Sequence, residues 1–321
     1  MVMTPDELRA TLQGPIAFPV TPFKKDLSLD LNGLRTNVQA ILAHPPAALV
    51  AAGGTGELYS LTPGEHESVV RVTVEAAAGK VPVIAGAGFG ASLGVELACQ
   101  SARAGASGIL AFPPYYPHAD EEGLFEYYRA IGGATPLGML VYSRDWVHPG
   151  PAFVERLTTI RTLVAWKEGQ GDIRRLQAIM LRVGDRLGWV GGAGDDLVPA
   201  YYSLGIRAFT SSVANIAPRL AWQLHDAAAN GDAAGLRQLM DDFITPLYAL
   251  RSRRRGYEVT VMKVLMDRLG LAGGPVRPPL PALAAEDVAA VEAILGMLRA
   301  QGARGARVLE VHGPSTPDST P

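Results

Sequence analysis

Eight short apolar runs, each followed by a stretch of helical periodicity, set the tightest limit on how this 321-residue chain can fold. The runs are IAFPV from Ile16, AALVA from Ala47, VPVIAG from Val81, SGILAF from Ser107, PLGMLVY from Pro136, TLVAWK from Thr162, LGWVG from Leu187 and IRAFTS from Ile206. A short continuous apolar run bounded by turn residues reads as a strand buried on both faces. Between the runs lie helical patterns such as LNGLRTNVQAILA, PGEHESVVRVTVEAAA and LGVELACQSARA. Eight such units predict an α/β fold, the parallel (β/α)8 TIM barrel. A doubly wound open sheet is the rival. No clear break interrupts the series, and the lone glycine cluster GAGFG near Gly86 lacks the GxGxxG spacing of a dinucleotide site, so closure is favoured.

The ends of the chain depart from this alternation. Thr4, Pro5 and Glu7 have the spacing of an N-cap, a first helical proline and a capping box, which predicts a short opening helix ended by Gly14. From Asn215 to about Ala300 only helical patterns occur. The expected division is a barrel with its opening helix over 1–230, a C-terminal helical subdomain over 231–300, and a disordered tail over 301–321, where Gly, Pro, Ser and Thr follow no period.

An apolar content of 48% is enough for a large core, and Lys+Arg 29 against Asp+Glu 31 leaves a net charge of −2. That balance gives no basic field for nucleic acid and no polybasic patch for a membrane. Cys99 is the single cysteine, so there is neither an intrachain disulfide nor a cysteine metal cluster, and its amphipathic surroundings make it a small core residue. No apolar signal region or run of about 18 apolar residues occurs, which predicts a soluble cytoplasmic protein.

Three strand ends carry candidate chemistry. In LVAWKEGQG the apolar run stops at Lys167, at the C-terminal end of a strand, where such sheets place their active residues. Partial desolvation there lowers an ammonium pKa and frees the amine to attack a carbonyl. A solvated lysine at a strand end is the plain alternative. In AAGGTGE, the glycines Gly53, Gly54 and Gly56 let backbone come close to a ligand, and Thr55 adds a hydroxyl and an N–H. The loop suits a carboxylate or phosphate, or is simply a tight turn, with Glu57 as a buried carboxylate that orients it. In LVYSRDWVHP, Tyr142 ends a strand and could shuttle protons. Arg144 could grip a carboxylate or pair with Asp145. FPPYYPH forms a stiff aromatic corner after the fourth strand.

The ordered set AAGGTGE, VPVIAGAG, FPPYY, Tyr142 and WKEGQGD resembles the pyruvate-aldolase superfamily of dihydrodipicolinate synthase and N-acetylneuraminate lyase, over roughly Gly14 to Ala300. The resemblance implies Lys167 as the Schiff-base lysine and Tyr142 as the catalytic tyrosine. It implies Gly54, Thr55 and Gly56 as the cradle of an α-keto carboxylate. It also implies a homotetramer in which Tyr116 reaches a neighbouring active site. The loop GGTGE, the segment AFTSSVANIAP and the ending RRRGYEVTVMK with GGPVRPPL are similar to the branch of 5-dehydro-4-deoxyglucarate dehydratase. Tyr116 and the GAGDD segment from Gly192 look more like the synthase and lyase branches, and Glu168 stands where the dehydratase pattern more often has aspartate. The implied reaction is decarboxylating dehydration of a six-carbon keto-diacid to 2,5-dioxopentanoate. It uses no metal or organic cofactor beyond the covalent imine on Lys167. Ser211, Ser212 and Asn215 would orient hydroxyls or the departing carboxylate, and Arg144 would hold the far carboxylate. The alternatives are a pyruvate-dependent aldolase or synthase, and an inactive barrel that binds a keto acid.

Overall fold

The computed structural model describes residues 3–303. Eight strands close into one parallel ring: β1 (Gly14–Ala17), β2 (Ala48–Ala51), β3 (Val83–Phe89), β4 (Gly108–Pro114), β5 (Gly138–Ser143), β6 (Leu163–Glu168), β7 (Gly188–Gly191) and β8 (Ala208–Ser211). Each strand pairs with the next, and β1 pairs with β8, so the open-sheet alternative is excluded. All eight expected strands are present with shifted ends. The largest shifts are at β3, which runs on to Phe89, and at β1, which begins at Gly14 and leaves the ladder after Ala17. Pro19 has no N–H to give a neighbouring strand, and the Val20 N–H donates instead to the Asn215 side chain at 3.1 Å.

The opening helix α1 (Pro5–Thr11) carries the expected capping box, with Thr4 and Glu7 each bonded to the other's backbone N–H. The surrounding helices are α2 (Leu31–Ile41), α3 (Pro63–Ala77), α4 (Ala91–Arg103), α5 (Glu121–Gly133), α6 (Pro151–Leu157), α7 (Ile173–Val183), α8 (Val198–Ser203) and α9 (Pro218–Ala229). Helix α3 is entered through a second capping box, Thr62 with Glu65. Cys99 lies in α4 and is half-buried, so it is less enclosed than a core position.

Beyond α9 come α10 (Ala233–Leu239), a π-helical turn over Met240–Ile244, α11 (Thr245–Arg251), α12 (Tyr257–Arg268) and α13 (Val288–Ala303). Residues 301–303 therefore continue a helix, against the expectation of a tail from 301, and 304–321 lie outside the described residues. These helices are tied to the barrel's C-terminal face by buried polar contacts. Lys263 of α12 pairs with Glu57 after β2, and both are almost fully buried. Tyr248 of α11 donates to Asp195 after β7 at 2.9 Å, and Arg251 donates to the Ser212 hydroxyl after β8 at 2.9 Å. The C-terminal addition thus roofs the end of the barrel where the strand tips converge.

Candidate active site

A cavity of about 390 Å³ opens at the C-terminal ends of the strands. Phe18, Gly54, Thr55, Tyr142, Arg144, Gly192, Ser211, Ser212 and Arg251 are among the residues that line it. Its position is the one where barrels of this kind hold their chemistry.

Lys167 and Tyr142 sit side by side on β6 and β5 as Cα partners in the ladder. The Lys167 side chain is 2% exposed. Its Nζ donates to the Gly192 carbonyl at 2.9 Å and lies 3.1 Å from the centroid of the Tyr142 ring. Gly192 and Tyr142 both line the cavity, so the amine sits directly under its floor. Burial drives the lysine pKa well below its usual value, the Arg144 guanidinium pushes the same way, and Glu168 opposes them. The solvated-lysine alternative is therefore excluded. Burial raises the Tyr142 phenol, with Arg144 opposing, so the hydroxyl stays protonated around neutral pH.

The close approach is permitted by two glycines. A Cβ on Gly192 would lie 2.5 Å from Lys167 Cγ and 2.4 Å from the Glu168 carbonyl, and one on Gly169 would lie 2.3 Å from Tyr142 Cε2. Glu168 is buried and directs its carboxylate away from the amine, accepting the Tyr201 hydroxyl at 2.7 Å and the Gln170 N–H at 2.6 Å.

The glycine loop after β2 is held in an uncommon shape. Ala52 and Glu57 both have positive φ, at 48° and 54°. Glu57 is fully buried; besides its ion pair with Lys263 it accepts the Arg277 N–H at 3.0 Å. The loop is thus pinned by the C-terminal addition. Gly54 and Thr55 face the cavity, whereas the Gly56 carbonyl turns outward to accept the Thr21 hydroxyl at 2.7 Å.

The other expected residues divide. Arg144 lines the cavity, but its Nε donates to Asp145 at 2.8 Å, and a Cβ on Gly54 would lie 3.2 Å from its Nη1. It therefore stands beside the Gly54 end. Ser211 lines the wall with its hydroxyl committed to buried Asp195, which also accepts the Ser212 N–H at 3.2 Å. Asn215 is not placed to meet a ligand. It is 1% exposed, and its amide is spent on the Val20 N–H and the Phe18 and Ser212 carbonyls, so it fastens β1 to the loop after β8. Tyr116 is 61% exposed and stacks edge-on against His118, outside the cavity wall of this chain.

Further lining residues went unread in the sequence, among them Tyr248, Arg251, Tyr59 and Glu258. Arg251 stands in an arginine-rich helix end, and nothing in the run RSRRR shows which member turns inward. Arg253 turns instead to Asp287 at 2.7 Å. Among the described residues no group of three or more His, Cys, Asp or Glu is arranged to hold a metal ion. No helix among them is long and apolar enough to cross a membrane.

Comparison with known proteins agrees with this geometry. A probable 5-dehydro-4-deoxyglucarate dehydratase from Bradyrhizobium diazoefficiens is 38% identical over 302 residues, covering 93% of this chain and 96% of that protein. One from Saccharopolyspora erythraea is 40% identical over 292 residues, covering 90% and 94%. Among solved structures, dihydrodipicolinate synthase from Bacillus clausii superposes with a TM-score of 0.85 at 28% identity, covering 92% of this chain and 99% of that one. The enzyme of the same name from Oceanobacillus iheyensis gives 0.87 at 27%, covering 92% and 100%. The model of the dihydrodipicolinate synthetase family matches residues 11–298, and with relatives this similar over nearly the whole length, the chain belongs to that family.

Proposed function

We propose that the protein is a Schiff-base lyase that dehydrates and decarboxylates 5-dehydro-4-deoxy-D-glucarate to 2,5-dioxopentanoate, carbon dioxide and water. The observation that carries this reading is the buried Lys167 amine, its pKa lowered by that burial, held against Tyr142 beneath a cavity with two arginines in its wall. The similarity to probable dehydratases of that name selects the substrate.

Each step balances on groups present. The neutral Lys167 amine attacks the ketone carbon, and the carbinolamine loses its hydroxyl as water to give a protonated imine. Tyr142, a protonated phenol, supplies the proton that this hydroxyl needs and takes the proton lost from the adjacent methylene. The resulting enamine expels the β-hydroxyl as a second water, with Tyr142 returning its proton. The extended imine then accepts the electron pair of the bond to the far carboxylate, which leaves as carbon dioxide. Protonation and hydrolysis consume one water, free the lysine and release 2,5-dioxopentanoate, a keto acid with an aldehyde at its far end. Gly54 and Thr55 hold the carboxylate beside the ketone, and the sequence calls for no metal or organic cofactor. The chain is read as a cytoplasmic homotetramer in which the exposed Tyr116 meets a neighbouring subunit. Sedimentation at four chain masses supports that assembly; a fully active monomer refutes it.

The deciding experiment supplies the keto-diacid to one sample, and pyruvate with an aldehyde to another. Equal amounts of carbon dioxide and 2,5-dioxopentanoate from the first support the dehydratase. Carbon–carbon bond formation in the second with no gas from the first would make the protein an aldolase, and silence in both would make it a binding protein.

A further inference from the structure

The geometry points to Arg251, brought in by the C-terminal addition, as the residue that selects a dicarboxylic substrate by binding its distal carboxylate. This rests on the Schiff-base reading of the site and adds the recognition of the far end.

Arg251 is the last residue of α11 and lines the cavity over the loops that follow β7 and β8. Its guanidinium is fixed on two sides. Nη1 donates to the Ser212 hydroxyl at 2.9 Å, and Cζ lies 4.3 Å from the centroid of the Tyr248 ring. Tyr248 is itself anchored, donating to Asp195 and accepting the Asp195 N–H at 2.7 Å. A guanidinium held this way has lost its conformational freedom before any ligand arrives. On the remaining side, Nε–H is shut off from water and has no hydrogen-bond partner. A buried donor left unpaired is costly, and native proteins seldom tolerate one without a reason. With Nε enclosed, the guanidinium meets the cavity through its terminal nitrogens, which can donate to a carboxylate oxygen.

The other cavity arginine is less suited to the distal end. Arg144 is already neutralised through Nε by Asp145 and stands beside Gly54, where the carboxylate next to the ketone is expected. Arg251 stands beside Ser212 after β8, two strands round the ring from the Gly54 loop after β2. A six-carbon diacid joined to Lys167 through its ketone then has a cation or N–H donors at each end. The alternative role for Arg251 is to balance Asp195 and Asp196, both of which feel its charge. A purely balancing residue would not discriminate between ligands.

The pairing also has a kinetic signature. The distal carboxylate is charged in the bound substrate and loses its charge as carbon dioxide forms. An arginine holding it stabilises the ground state more than the decarboxylation transition state. Removing it raises KM without lowering the rate of the decarboxylation step.

The test compares two keto acids of equal length that form imines without turnover: 2-oxoadipate, with a distal carboxylate, and 2-oxohexanoate, with a methyl in its place. The half-saturating concentration of each is read from borohydride-trapped protein by mass spectrometry. Wild type is expected to prefer 2-oxoadipate by about 10- to 100-fold, the worth of hydrogen bonds to a charged group. Arg251→Gln should bring the ratio near one, and Arg251→Lys should restore part of it. A change confined to folding or to Asp195 would weaken both ligands and leave the ratio intact. A ratio preserved in Arg251→Gln, or no preference in wild type, overturns the assignment. Failure of the dehydratase reading is seen separately, as absent carbon dioxide from the sugar diacid with wild-type protein, and leaves the ratio readable.

Discussion

Lys167 combines two properties that work against each other. Burial lowers the pKa of its amine, as the proposed nucleophile requires, and burial is what a lysine resists. In the unfolded chain the group stays protonated to about pH 10.4, whereas in the fold its pKa lies well below that. Between the two values the unfolded state binds more protons, so this residue's contribution to stability is poorest at low pH and improves as pH rises through that window. Replacement by an apolar side chain of similar length removes the penalty. Lys167→Met should therefore melt several degrees above wild type at pH 7, with the gap closing as pH approaches the unfolded value. Thermal melts across that range check it, and a variant that melts lower, or by a pH-independent margin, would contradict the buried neutral amine. The sequence showed where this lysine would stand, because a buried run that ends in Lys is a local pattern. It could not show which of Ser211, Ser212, Asn215, Arg144 and Arg251 meet a ligand. Asn215 is spent on backbone partners near Phe18 and Val20, almost two hundred residues away in the chain, and such partners leave no local trace.

At the scale of elements, the glycine loop and helix α12 form one unit. Glu57 and Lys263 lie about two hundred residues apart and are enclosed to 0% and 1% exposure. Breaking a buried pair by removing one partner strands the other charge and costs about 3–5 kcal/mol. Lys263→Met should lose stability of that order in urea unfolding, and the Lys263→Met, Glu57→Gln double variant should recover part of it. A loss below about 1 kcal/mol would mean that solvent reaches Glu57 and that the loop is held by other means. The strands and barrel helices were legible from sequence because each repeats a local pattern, period two or a continuous run for strands and 3.6 for helices. Their ends were less so: β1 breaks off at Phe18, turned aside by Pro19 and by the Val20 N–H donating to Asn215, a partner that no window of sequence contains.

For the whole molecule, the barrel supplies the lysine and tyrosine, and the C-terminal addition supplies the roof, the loop anchor Lys263 and the second arginine. A barrel without the addition would lose the far wall of its cavity and the Lys263 anchor of its glycine loop. The central claim is covalent catalysis by Lys167, and it is tested most directly by borohydride reduction during turnover of the keto-diacid, followed by peptide mapping. The adduct should fall on the peptide carrying Lys167, and Lys167→Ala should show neither adduct nor carbon dioxide. An adduct on another lysine, or turnover by Lys167→Ala at a rate near wild type, would contradict the account.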